Sequence, residues 1–326
     1  MNFLNITFIL SILCLVSCAK TEEQLVRAAI QEAKYHLTSM DCDAAMGVLD
    51  DVDFQSDNAD YISVYASSQA CYAGYKELDF LFGGNIENIN SSSLIGSLAT
   101  FSSSNETSAG STAFTSIQNA VTTLLSYDGG TQPSTVDRTE KFGIKESGDL
   151  SLQALYLIFV NMGKFFAYYG NADSSGVKGN GALGNSCIFS YTTNDAVDWI
   201  NATTPGNCSA ATGSEGSDDL EAPVTSAVIK TRLCQGIVLY NNMMDILSNL
   251  TLPGSDSLGD VENIQSALNT LMNTAEGVET GPYNDGPVNG QNAIATMRAI
   301  TGQAACEAEN IERIEKFYAI FFETIF

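Results

Sequence analysis

The apolar residues of this chain recur at three- and four-residue spacings, and no stretch alternates with the period of a strand. Residues 22–38 place Leu25, Ala28, Ala29, Ala33 and Tyr35 at helical spacing, with Glu22 and Glu23 at the positive end of the helix dipole. Asp41-Cys42-Asp43 then caps a helix over 42–52, whose Ala44, Ala45, Val48, Leu49 and Val52 form a stripe. Asp57-Asn58 caps a third helix over 59–80, carried through Tyr61, Val64, Tyr65, Ser68, Cys71, Tyr72, Tyr75 and Leu78 and stopped by Gly83-Gly84. Helices that follow one another without strands can bury their stripes only on each other. The spacing therefore predicts an all-α fold of about ten helices, packed as hairpins in a repeat-like or irregular array.

The rest of the chain divides on the same grounds. Residues 83–112 are low in complexity and rich in Ser. Residues 113–127 read as an amphipathic helix, and 128–148, with Gly, Pro and mixed charge, as a loop and a point of subdivision. Residues 149–169 are apolar on nearly every side, which predicts a central buried helix. Gln153, Asn161 and Lys164 interrupt that stretch and argue against a membrane span. The Gly-rich region 170–221 holds one short helix at 194–200 around the lone Trp199. Helices resume at 222–250, 258–277 and 290–325, so residues 22–326 read as one helical domain with long Gly- and Ser-rich loops.

Charge and composition exclude several functions. The chain has 38 acidic and 14 basic side chains, a net charge of −24. It lacks the positive footprint that a phosphate backbone requires, so nucleic acid is excluded as a partner. A single histidine leaves no room for a His-based metal site or charge relay. The 44% hydrophobic content supplies a real core and separates this chain from a disordered acidic tail.

Residues 3–17 (FLNITFILSILCLVS) form an apolar run too short for a span, which needs about 20 apolar residues. They fit the hydrophobic region of an export signal. The run ends in Leu15-Val16-Ser17-Cys18, which resembles the lipobox of bacterial lipoproteins. That resemblance implies a signal peptide over 1–17, cleavage before Cys18, lipid on its thiol and amino group, and a short anchor over 18–21. Several acyl chains together hold a protein stably on a membrane. Ala19 in place of Asp after the lipidated cysteine implies the outer membrane, with the domain facing the periplasm or the cell surface. The segment MNFLN departs from the pattern in having no Lys or Arg.

Residues 22–80 also resemble a tetratricopeptide-type helical hairpin, through the runs around Ala33-Lys34-Tyr35-His36-Leu37, Asp41-Cys42-Asp43-Ala44-Ala45 and Gln69-Ala70-Cys71-Tyr72-Ala73-Gly74-Tyr75. Exported lipoproteins with such repeats include accessory components of TRAP-type transporters. The likeness implies a binding role.

With Cys14 in the signal and Cys18 lipidated, six cysteines remain, an even set in an exported chain. Antiparallel packing of the second and third helices brings Cys42 opposite Cys71. Cys187 and Cys208 flank one loop-like segment and make the second pair. Cys234 and Cys306 are left to tie two C-terminal helices. Each bridge contributes about 3–4.5 kcal/mol in the chain-entropy account. No spacing suits zinc.

Few other residues point to chemistry. Asn171, Asp173 and Ser175, then Gly176 and the Val177 carbonyl, match the start of a calcium loop, but its twelfth position is Ala182 and supplies no carboxylate. Calcium is thus the one cofactor the sequence offers. Ser175 and Lys178 form a short S-x-x-K pattern without the companion motifs of a hydrolase. The C-terminal helix carries a broad aromatic face, with Phe317, Phe321 and Phe322 on it, which reads either as packed stripe or as an exposed partner surface. No residue is assigned a catalytic role. The sequence points to a membrane-anchored binding or scaffolding protein, with a transporter's solute-binding accessory as the alternative and a hydrolase as a distant third.

Overall fold

The computed structural model describes residues 21–75, 111–127, 132–169, 187–203, 208, 226–249, 266, 269, 270, 273 and 293–325. Among these the structure is all-α. Helix α1 spans Glu22–Thr38, α2 Cys42–Asp50, α3 Ala59–Cys71, α4 Thr112–Ser126, α5 Thr135–Phe142 and α6 Ile144–Tyr169. Helix α7 spans Asn194–Thr203, α8 Ser226–Asn249, α9 Ala293–Arg298, α10 Gln303–Ala308 and α11 Ile311–Ile325. None of the described helices is long and apolar enough to cross a membrane.

Local chemistry sets the boundaries. Thr21 and Gln24 close a capping box on α1, and Ser134 and Asp137 close another on α5. The side chains of Asp41, Asn58 and Ser111 accept the N–H groups of Ala44, Tyr61 and Phe114 at the starts of α2, α3 and α4. Helix α3 stops well before Gly83. Gly74, at φ 72°, donates to the Cys71 carbonyl at 2.8 Å while Tyr75 N–H reaches Ala70 O at 3.4 Å. That reciprocal pair ends a helix where only glycine enters the left-handed region without cost.

Residues 128–148 are not one loop. The Ser134 box starts α5 inside them, and Gly143 at φ 85° ends it before α6 begins at Ile144. The expected long helix over 290–325 is three helices, α9, α10 and α11, broken around Gly302 and Glu309.

Helix α1 buries Val26, Ala29, Ile30 and Ala33 against Leu49, Tyr61 and Val64. This face is turned by one residue from the one through Leu25 and Tyr35, which are exposed. Helix α3 uses both sides. Tyr61 and Val64 face the first core, and Ile62, Ala66 and Ala70 join the larger core with α4 and α6. Helix α6 is its centre, with Leu155, Leu157, Ile158, Phe159, Phe165 and Phe166 all buried, and α4, α5 and α8 pack around it. This is the central helix expected from its apolar circumference.

The aromatic face of the C-terminal helix is the packed stripe and not an exposed surface. Phe317, Phe321 and Phe322 are 1%, 0% and 0% exposed. Phe322 packs against Phe165 and Phe166 of α6, and Phe321 lies 3.6 Å, centroid to centroid, from Tyr240 of α8. The aromatic stripe fills the space between two central helices.

Three disulfides close the structure: Cys42–Cys71, Cys187–Cys208 and Cys234–Cys306. The first two are the pairs that helix packing and loop position suggest, and the third is the pair left over. Cys18 and the loop of Asn171, Asp173, Ser175 and Val177 lie outside the described residues.

Candidate functional site

Helix α4, helix α8 and the irregular strip before and into α10 enclose a cleft of about 690 Å³. This lies within the usual ligand-site range of roughly 300–1,000 Å³. Helix α4 is amphipathic. Its Phe114, Ile117 and Leu124 enter the core, which leaves Gln118 and Thr122 at the cleft rim and Val121, Leu125 and Ser126 within it. Helix α8 adds Val238, Leu239 and Asn242, and the opposite wall is Ala299–Ala305.

Four side-chain bonds fix that opposite wall. Asn241 Nδ2 donates to Met297 O and Ile300 O, each at 2.7 Å. Asn242 Nδ2 donates to Thr301 O at 3.0 Å, and Gln303 Nε2 to Thr231 O at 2.9 Å. Next along the strip, Cys306 is bonded to Cys234 of α8. The turn between α9 and α10 and the start of α10 are thus tied to α8 by side-chain bonds and a disulfide.

Among the described residues that line the cleft, none is charged and none is aromatic. Its floor is aliphatic: Val121, Leu125, Val238, Leu239 and Ile300. Its polar groups are neutral. Gln132 Nε2 donates to Asn242 Oδ1 at 2.6 Å, which leaves the Gln132 carbonyl as an acceptor. Ser126, at 5% exposure, lies on the buried side of the lining. In a chain of net charge −24 an uncharged cleft is a local exception.

Two neighbouring grooves differ in kind. One, of about 680 Å³, runs along α1 over Glu22, Arg27, Lys34 and Asp60. The other, of about 640 Å³, lies between Asp57 and Asp60 at the start of α3 and Lys141, Lys145 and Glu146. Both carry charges of both signs. Lys141 Nζ sits 2.6 Å from Asp57 Oδ1, which holds the Asp57 carboxyl below its ordinary value.

The tyrosines along α3 are engaged with α2. Tyr61 donates to Leu49 O at 3.0 Å, Tyr65 to Asp50 at 3.2 Å and Tyr72 to Asp43 at 2.9 Å, all tying α3 to α2. His36 lies 3.9 Å from Asp41 at the turn into α2. Among the described residues, Cys187, Cys208 and Glu323 bring ligand-type atoms within 4.8 Å of one another. Both sulfurs are engaged in a disulfide, so the group offers a metal only one carboxylate.

The cleft escapes sequence reasoning because three distant segments build it. The available sign was Asn241-Asn242, a polar pair inside the apolar run of α8. Comparison with protein-family models, curated proteins and solved structures finds no match to this chain.

Proposed function

We propose that this is a lipid-anchored bacterial binding protein. Cys18 carries the anchor, and the helical domain holds a partner protein at the α4–α8 cleft. The cleft carries the reading: an aliphatic floor, neutral polar groups and a wall pinned to α8 suit recognition without chemistry. The same features also support the accessory solute-binding alternative. The charge of −24 repels anionic lipid, so acyl chains rather than basic residues would hold the domain on the outer membrane.

Two experiments test the parts separately. Labelling with a palmitate analogue should mark the protein and be lost in Cys18→Ser; retained label would remove the anchor. A photo-crosslinker at Gln118 should give a discrete protein adduct in cells. Exposed Val136, outside the cleft lining, should give none. Equal adducts from both positions would dissociate binding from the cleft.

A further inference from the structure

Resting on the reading of Cys18 as the lipid anchor, we propose that the domain lies on the bilayer along α1, its two charged grooves taking zwitterionic phospholipid headgroups. The distribution of cations carries this. Among the described residues the exposed lysines and arginines are Arg27, Lys34, Lys141 and Lys145, and all four line these two grooves. The other seven are half-buried or buried. Asn58 and Asp60 line both grooves, so the two form one continuous face. Elsewhere on the described surface of this acidic chain, a phospholipid phosphate meets no exposed lysine or arginine.

The tether leads to the same face. Thr21, which caps α1, follows Cys18 by three residues, so α1 starts within about 11 Å of the anchored cysteine at full extension. The first groove opens at Glu22 and Glu23 and continues over Val26, Arg27, Ile30 and Lys34, a stripe along one side of α1. That stripe sets α1 flat on the membrane, with Lys34 about 18 Å along the helix from Glu22. Ile144 stands between Phe142 and Lys145 of the second lining. At 78% it is the most exposed large apolar side chain among the described residues. An aliphatic side chain beside lysines suits an interface, where it enters the acyl boundary while the ammonium groups reach phosphate.

Charge decides the headgroup. The grooves also hold carboxylates: Glu22, Glu23 and Asp60 in the first, Asp57, Asp60, Glu146 and Asp149 in the second. Arg27 lies 2.8 Å from Glu23, Lys145 2.9 Å from Asp149 and Lys141 2.6 Å from Asp57. Lys141 is the most covered of the four cations, its ammonium 4.2 Å from the centre of the Tyr127 ring. An anionic headgroup meets net repulsion on such a face. A zwitterionic one brings a phosphate for the cations and an ammonium for the carboxylates, so the pairs exchange partners and no charge is stranded. Exposed ion pairs contribute little and exchange easily. The acyl chains hold the domain and make docking intramolecular, so weak contacts suffice to orient it.

The test uses the full-length lipidated protein in vesicles of phosphatidylethanolamine and phosphatidylcholine. A photo-crosslinking residue is placed at Gln31 of the first groove or at Ile144, and as control at Glu312, exposed and outside both linings. Mass spectrometry should find phospholipid adducts at the first two positions and none at Glu312. Lys34→Glu combined with Lys145→Glu, both exposed, should lower the Ile144 adduct severalfold while the melting temperature holds. Replacing part of the lipid with anionic phosphatidylglycerol should lower it in the unaltered protein, which keeps the test independent of any variant. Equal adducts at Glu312, adducts that survive the double charge reversal, or a gain with phosphatidylglycerol would each overturn the proposal. Palmitate label at Cys18 without adducts at Gln31 or Ile144 would refute the seating and leave the anchor. Adducts without the label would keep the seating and remove the anchor, and the absence of both would refute both.

Discussion

Tyr191 and Glu323 meet inside the protein, the tyrosine hydroxyl donating to Glu323 Oε1 at 2.8 Å with both side chains sealed from solvent. The same oxygen accepts Ile188 N–H at 2.8 Å. Two turns earlier on α11, Glu315 accepts the N–H groups of Thr192 and Thr193 at 2.9 and 2.8 Å and the Thr192 hydroxyl at 2.7 Å. That places a carboxylate at the positive end of α7. Two buried carboxylates thus hold residues 188–193 onto α11, beside the Cys187–Cys208 bridge. Glu323→Leu leaves the Ile188 and Tyr191 donors unsatisfied and should destabilise by about 3 kcal/mol. Glu323→Gln keeps an accepting oxygen and should lose less. Urea unfolding compares them, and equal losses would mean that the carboxylate does not hold this segment.

The buried tyrosines predict how stability responds to base. Burial raises the Tyr61 hydroxyl to about 12, and raises Tyr191 and Tyr318 well above their ordinary value, with Glu323 adding to both. A group with a raised folded pKa gives stability that is complete below its unfolded pKa, about 10 for tyrosine, and is lost as pH rises above it. Unfolding free energy should therefore be insensitive to these groups up to about pH 10 and fall beyond it. Tyrosinate absorbance should appear together with loss of helical circular dichroism. Tyrosinate forming while the helices remain intact would show these hydroxyls to be reachable. The hydroxyl of Tyr318 has no partner among the described residues, whereas that of Tyr191 has Glu323. Tyr318→Phe should accordingly be neutral or stabilising by about 1 kcal/mol, and Tyr191→Phe destabilising.

Arg138 is fully buried at the junction of α5 and α8. It donates to Pro133 O and Thr135 Oγ1, each at 2.7 Å, and lies 3.4 Å from Asp245, which also accepts from Thr135 at 3.0 Å. Burial lowers the guanidinium pKa from its ordinary value, opposed by Asp245. Removing one partner of a buried pair strands the other charge, whereas an apolar replacement of the cation removes the desolvation cost with it. Asp245→Ala should therefore cost about 3 kcal/mol, and Arg138→Met distinctly less. Thermal melts of the two variants decide the order, and the reverse ranking would mean that the guanidinium's bonds to Pro133 and Thr135 outweigh its burial.

Helix type and most helix starts were legible because caps and apolar spacing act over a few residues. Which face is buried was not always legible. In α1, Leu25 and Val26 begin two overlapping stripes, and only packing against Leu49, Tyr61 and Val64 selects the second. The α5 start was missed because a short helix in a polar segment is decided by Ser134 and Asp137 alone. The aromatic face of α11 has the same composition whether it meets solvent or Phe165, so its burial was open until α6 and α8 were placed. The cleft lay furthest from the sequence. Gln118, Asn242 and Gln303 are unremarked amides until three helices bring them to one place.

Gly236 on α8 controls how closely that helix approaches its neighbours. A Cβ there would meet Phe165 Cζ at 2.9 Å and Phe322 Cζ at 3.2 Å. Those rings also pack on each other, Phe165 to Phe322 at 6.2 Å between centroids, and both are buried, so neither has room to withdraw. Gly148 in α6 has nothing within 4 Å of the same position. Helix propensity favours alanine at both sites by about 0.5–1 kcal/mol. Gly148→Ala should therefore stabilise by that amount, while Gly236→Ala should destabilise by about 1–3 kcal/mol through overpacking. The opposite signs isolate packing from propensity, and urea midpoints measure both. Val238, Leu239 and Asn242 follow Gly236 within two turns and form one wall of the cleft. Displacing α8 at Gly236 should then lower ligand affinity as well as stability, whereas Gly148→Ala should leave affinity unchanged. A Gly236→Ala protein with unaltered stability would mean that α6, α8 and α11 are not in close contact at this point.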